Sequence, residues 1–162
     1  MTARTLRRTL AVYQGGAGLG VAWFTVTSGA AEFHGPPLVW VAVVGALTGF
    51  CGLLIAAGFL LERKHVLGAK LSSYAQLIQV PYILTHALSL TMFAPASFIL
   101  YITGAGGLGF TFGLLAQFTL ASGQRLETWT IGLNVLPLVV LYLLRVRLPM
   151  MAAREAVVAD AA

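Results

Sequence analysis

Three stretches of this chain, Thr9–Ala31, Leu71–Gln124 and Thr128–Leu144, contain no Asp, Glu, Lys or Arg, and a fourth, Phe33–Leu61, holds only His34. A helix needs about 20 apolar residues to cross a bilayer, so each run is long enough to span one. The chain is 59% hydrophobic and 9% charged, with a mean hydropathy of +0.88. A soluble domain carries about a quarter charged residues. So few charges cannot coat a globule in polar surface, and the expected solvent is lipid. The fold class expected is an integral membrane protein, mainly α, with three to four transmembrane helices and a short antiparallel β segment within residues 84–121.

The net charge of +5 does not point to nucleic acid. Arg4, Arg7, Arg8, Arg63, Lys64, Lys70, Arg145, Arg147 and Arg154 flank the apolar runs, where positive-inside anchoring places them. This predicts a multi-pass protein of the bacterial inner membrane with a cytoplasmic N-terminus. Arg outnumbers Lys eight to two, in keeping with a GC-rich bacterial genome. Residues 1–31 share the basic start, apolar stretch and small-residue end of a secretory signal, and read here as the first membrane helix.

Within a single membrane domain, helices are expected over about 9–28, 38–61, 71–83 or 71–93, and 128–146, with a frayed tail over 150–162. Gly16 with Gly20, and Gly45 with Gly49, give small-xxx-small spacings that let helices approach closely in lipid. Residues 71–80 form an amphipathic helical pattern. Leu71, Tyr74, Ala75, Leu77 and Ile78 share one side, and Ser72, Ser73, Gln76 and Gln79 the other. Pro81 breaks it. From 108 to 120 the even positions read Leu, Phe, Phe, Leu, Ala, Phe, Leu, while the odd positions are mostly small or polar, which is a strand pattern. A β hairpin or meander over 84–121 competes with further membrane helices there. The basic segments at the N-terminus, at 62–70 and at the C-terminus all call for the cytoplasmic side, so the middle must contribute one crossing. An open sheet cannot face lipid, because its edge N–H and C=O groups lack partners, and this predicts a covering neighbour.

Few residues offer chemistry. His86 lies in an uncharged region and is the candidate cofactor ligand for a haem or chlorophyll-type pigment. The plainer alternative is a hydrogen-bonded histidine. Gln76, Gln79 and Asn134 are polar intramembrane candidates for a pore lining or for interhelical hydrogen bonds. Glu32 and His34 are too few for a metal site. The Gly104–Gly109 run lacks the Lys and Ser/Thr of a phosphate loop and reads as a turn. Asp160 is the only aspartate, so no Ser–His–Asp set can be assembled. Cys51 reads as a small buried apolar residue. No catalytic residue, metal site or cofactor is assigned. The expected role is a non-enzymatic structural or accessory subunit of a respiratory or photosynthetic type of assembly, or a homo-oligomer. Its expected partners are the lipid bilayer and other membrane subunits or copies of itself. A small oligomeric channel or transporter and a His86 cofactor protein are the alternatives.

Overall fold

The computed structural model describes residues 2–29, 37–85, 89–93, 96–114, 117–121 and 128–160. It is mostly helical, with one antiparallel sheet. Helix α1 (Ala3–Phe24) begins before the expected Thr9, because the Thr2 hydroxyl caps it, accepting from the Thr5 N–H at 3.2 Å. Its arginines are good helix formers and join its first turns. A wide π turn, Thr25–Gly29, ends it. Helix α2 (Pro37–Glu62) opens on a proline, which needs no N–H at that position.

The two helices meet at glycines other than the expected pairs. A Cβ on Gly58 would lie 2.7 Å from the Ala11 carbonyl oxygen, and one on Gly18 would lie 3.0 Å from that of Cys51. The Cys51 thiol donates to the Gly18 carbonyl at 2.8 Å. Gly16, Gly20, Gly45 and Gly49 have open space around them. The reason is helical phase. Ala11, Gln14, Gly18 and Val21 form the buried stripe of α1, and Gly16 and Gly20 each lie about 200° round from Gly18 at 3.6 residues per turn.

Helix α2 closes with the double hydrogen bond of a Schellman motif: His65 N–H to the Leu60 carbonyl at 2.9 Å, and Lys64 N–H to that of Leu61 at 3.1 Å. Glycine is the usual residue at the second of these positions. Here Lys64 takes it with φ 60°, the one positive φ outside glycine among the described residues. A side chain in that conformation costs about 1 kcal/mol. Helix α3 (Val66–Ile78) follows at once, capped by His65, whose Nδ1 accepts from the Leu67 N–H at 3.2 Å. Gly68 sits against the backbone of Leu60 and Leu61, which makes the turn tight.

Helix α3 occupies neither 71–83 nor 71–93. It starts earlier and stops before Pro81, which cannot continue a helix and instead opens a strand. At 13 residues it is about 20 Å long, against about 39 Å for the 26 residues of α2. Ala75, near its end, packs with Leu47, Phe50 and Leu54, so α3 ends near the middle of α2.

The sheet has six strands, four of them inside the 84–121 expected to hold a β segment and one on either side of it. They are β1 (Pro81–Leu84), β2 (Ser89–Phe93), β3 (Ala96–Thr103), β4 (Leu108–Leu114), β5 (Gln117–Ala121) and β6 (Thr130–Asn134), in the spatial order β4-β3-β6-β1-β2-β5. The Gly104–Gly107 segment closes the β3–β4 hairpin, with Gly106 at φ +80°. Strand β6 uses residues expected to begin the last helix, because Thr130 and Ile131 are β-branched and Asn134 is a natural helix start.

This sheet cannot be flat. Its edge strands β4 and β5 are joined by the step from Leu114 to Gln117, which reaches at most about 11 Å. In a flat sheet five strand spacings would separate them by about 24 Å. The step from Phe93 to Ala96 demands the same curvature, since β2 and β3 stand three spacings apart. The sheet therefore curls towards a barrel. Its concave face holds Ser97, Ile99, Thr91 and Asn134, all buried, with Tyr82 and Tyr101 6.3 Å apart between ring centroids. Gly132 and Gly109 make room for Tyr101, since a Cβ on either would strike it.

The last helix is α4 (Val135–Tyr142), a π turn (Leu143–Arg147) and α5 (Leu148–Asp160), which run on without a break. It begins later than the expected 128, because β6 comes first. It takes in most of the tail expected to fray over 150–162, because Glu155 Oε1 accepts from the Ala3 N–H at 2.7 Å. Val140, Leu144 and Leu148 pack on Ala3, Leu6, Leu10 and Leu61. Among the described residues two helices, Val41–Glu62 and Val135–Ala159, are long and apolar enough to cross a membrane. The bonds Ala3–Glu155 and Arg8–Glu62 (3.0 Å) bring the N-terminus, the α2–α3 turn and α5 to one end of the molecule.

Candidate functional site

Two elements of this protein are inside out. In a water-soluble domain the apolar side of an amphipathic helix or sheet faces the core. Here the polar side of α3 is buried: Ser72, Ser73, Gln76 and Gln79 lie within the fold, and Gln76 is 0% exposed. Tyr74 (57% exposed), Leu77 and Ile78 face outward. The sheet repeats the inversion. Ser97 and Ile99 are 3% and 2% exposed, while Leu108 and Phe110 on the convex face are 87% and 71% exposed. The register of β3 with β4 and β6 places Leu100, Ile102, Leu108, Phe110, Ile131 and Leu133 on that one face. They line an apolar groove of about 620 Å³.

The interior carries several uncharged polar side chains. Gln14 of α1 and Ser72 and Gln76 of α3 are fully buried, and their side-chain oxygens and nitrogens have no hydrogen-bond partner, as is true of the Tyr13 hydroxyl. Each such atom costs about 1–3 kcal/mol unless something satisfies it. Further along, Gln79 Nε2 donates to the Ala75 carbonyl at 3.1 Å. Asn134 then ties the sheet to the helices. Its Oδ1 accepts from Phe98 N–H (3.0 Å) and Leu136 N–H (3.3 Å), and its backbone N–H donates to the Val80 carbonyl (2.8 Å). Its Nδ2 remains without a partner, as does Thr91 Oγ1 within the curled sheet.

The structure buries Gln76, Gln79 and Asn134, each fully. Asn134 serves there as the cap of α4 and the clasp of β3. Sequence reasoning passed over Gln14 and Tyr13, and placed Ser72 only on the polar side of its helix. The signal for Gln14 was present, since an amide in a charge-free membrane run is expensive unless it has a task. His86, Glu32 and His34 lie outside the described residues, as does the side chain of Gln117. Among the described residues no three His, Cys, Asp or Glu side chains converge in a metal-binding group. The buried polar side chains are neutral donors and acceptors, and among the described residues no carboxylate or imidazole is buried with them. Compared with family models, with curated proteins and with solved structures, the chain matches none.

Proposed function

We propose that this chain is an integral protein of the bacterial inner membrane and serves as a non-enzymatic structural or accessory subunit, in a larger assembly or in a ring of its own copies. The observation that carries the reading is the inverted sheet, whose apolar side chains point outward around the groove of about 620 Å³. Water would not tolerate that face, and a bilayer or an apolar neighbour would cover it. Two further features favour a protein neighbour. Gly16, Gly20, Gly45 and Gly49 stand clear of their own fold, where a second chain's helix can approach closely. The edges β4 and β5 share no ladder bond among the described residues, and backbone groups at membrane depth need partners.

Photocrosslinking from position 110 in the native membrane tests this. A crosslinker replacing Phe110 is expected to capture another polypeptide, and native mass spectrometry of gently extracted material is expected to show that same partner. Adducts to lipid alone, with a monomer in the spectrometer, would remove the subunit reading. Labelling of a Phe110→Cys variant by a membrane-impermeant maleimide from either side would remove the membrane reading itself.

A small channel or transporter is the second reading, and the buried, unpartnered amides of Gln14 and Gln76 favour it. Gln76→Leu separates the two. For a structural subunit the variant removes two unsatisfied atoms from an apolar interior and raises the melting temperature. For a conducting pore, ion or solute flux through reconstituted vesicles is lost.

A further inference from the structure

At the end of the molecule where the basic segments meet, Arg4, Arg7, Arg8 and Lys64 line a cavity of about 370 Å³ together with one carboxylate, Glu62. That carboxylate is taken, because Arg8 Nε lies 3.0 Å from Glu62 Oε1. Among the described residues no acid pairs with Arg4, Arg7 or Lys64. Arg63, next along the chain, turns away and stacks 4.3 Å over the Phe59 ring.

Two features of this corner carry a cost that a bound anion would offset. The first is helix electrostatics. Three arginines crowd the first two turns of α1, beside the positive end of its dipole, and the carboxylate that meets that end, Glu155 on the Ala3 N–H at 2.7 Å, is spent there. The second is the backbone. Lys64 holds the left-handed position of the α2 Schellman motif at φ 60°, where glycine fits without strain. Strain of this kind gathers at ligand clamps, where the side chain is worth its conformation. The α2 terminus favours a cation there, but Arg63 already supplies one.

We propose that this cavity binds the phosphate of an anionic phospholipid headgroup, an inference that rests on the membrane reading above. The surroundings select a lipid over a free ion. Phe59, Val66 and Leu67 flank Lys64 and are exposed, so acyl chains attached to a phosphate held by Lys64, Arg4 and Arg7 would run along apolar side chains. Basic pockets between membrane helices on the cytoplasmic side recognise such headgroups.

The test uses the full chain in phosphatidylcholine nanodiscs doped with phosphatidylglycerol, read by native mass spectrometry. Wild type is expected to retain phosphatidylglycerol about tenfold over phosphatidylcholine. The R4Q/R7Q variant is expected to lose that preference. K64G is expected to weaken it while raising the melting temperature, because it relieves the strained backbone as it removes the charge. Equal retention of both lipids by wild type would overturn the site, as would a preference unchanged in both variants. Inorganic phosphate that strips the phosphatidylglycerol at equal concentration would reassign the cavity to a free anion. A chain that inserts into neutral vesicles without headgroup selectivity fails this inference alone. A chain that enters vesicles of neither composition fails the membrane reading.

Discussion

Gly58→Ala is expected to destabilise the α1–α2 hairpin, whereas Gly49→Ala in the same helix is expected to be neutral or stabilising. The two substitutions add the same methyl group to α2 and should differ in sign. At Gly58 the new Cβ would stand 2.7 Å from the Ala11 carbonyl oxygen and 2.9 Å from the Gly15 nitrogen, both backbone atoms that cannot swing aside. The helices must separate by most of an ångström along their shared stripe, loosening Leu54, Ala57 and Leu61, each 3% exposed or less. Overpacking of this kind costs about 1–3 kcal/mol, and contact with backbone puts it at the upper end. At Gly49 nothing lies within 4 Å, and replacing a mid-helix glycine by alanine gains about 0.5–1 kcal/mol. Thermal unfolding of the two variants in one detergent decides the matter. Equal effects would mean that the helices touch through some other face.

Asn134→Ala should be the most damaging single truncation among the buried polar side chains. One side-chain oxygen serves two backbone donors, Leu136 N–H at the start of α4 and Phe98 N–H in β3. Losing the cap costs about 1 kcal/mol, and leaving the Phe98 N–H unsatisfied costs about 1–3 more. The expected loss is about 2–4 kcal/mol, with both sheet and helix affected. Hydrogen exchange locates it: the amides of Phe98 and Leu136 should lose protection together, while those of the α1–α2 hairpin keep theirs. Loss at Leu136 alone would reduce Asn134 to a simple helix cap.

Much of this fold is legible in the residues. The charge-free runs mark α1, α2 and the last helix, because a chain so poor in charge has little else to signal its ends. The even–odd alternation from 108 to 120 marks β4 and β5, and the Gly104–Gly107 turn follows from its composition. The limits are equally physical. Strands β1 and β6 have four and five residues, too short for a period to emerge beside Pro81 and the helix that follows Asn134. Alternation also reveals that a strand has two faces without saying which one turns inward. Leu108, Phe110 and Phe112 read as a core in water and form an outer surface here. The glycine pairs show the converse failure. Gly16–Gly20 has the spacing of a contact, but phase around the helix decides the contact, and that is set by Leu10, Ala11, Gln14 and Val21.

The position of β6 has a consequence for how the chain is made. It lies at the centre of the sheet, between β3 and β1, yet it is the last strand to leave the ribosome. Until Thr130–Asn134 emerges, only two separate ribbons can form, β3 with β4 and β1 with β2 and β5. Each has a raw edge where β6 will lie. The five earlier strands therefore wait, tethered beside one another, for a final segment to slip between them. That segment leads directly into α4, so the event that zips the two ribbons into one wall also delivers the last helix to its seat. Sheet closure and helix docking are thus one step, and a nascent chain stalled before residue 130 has completed neither.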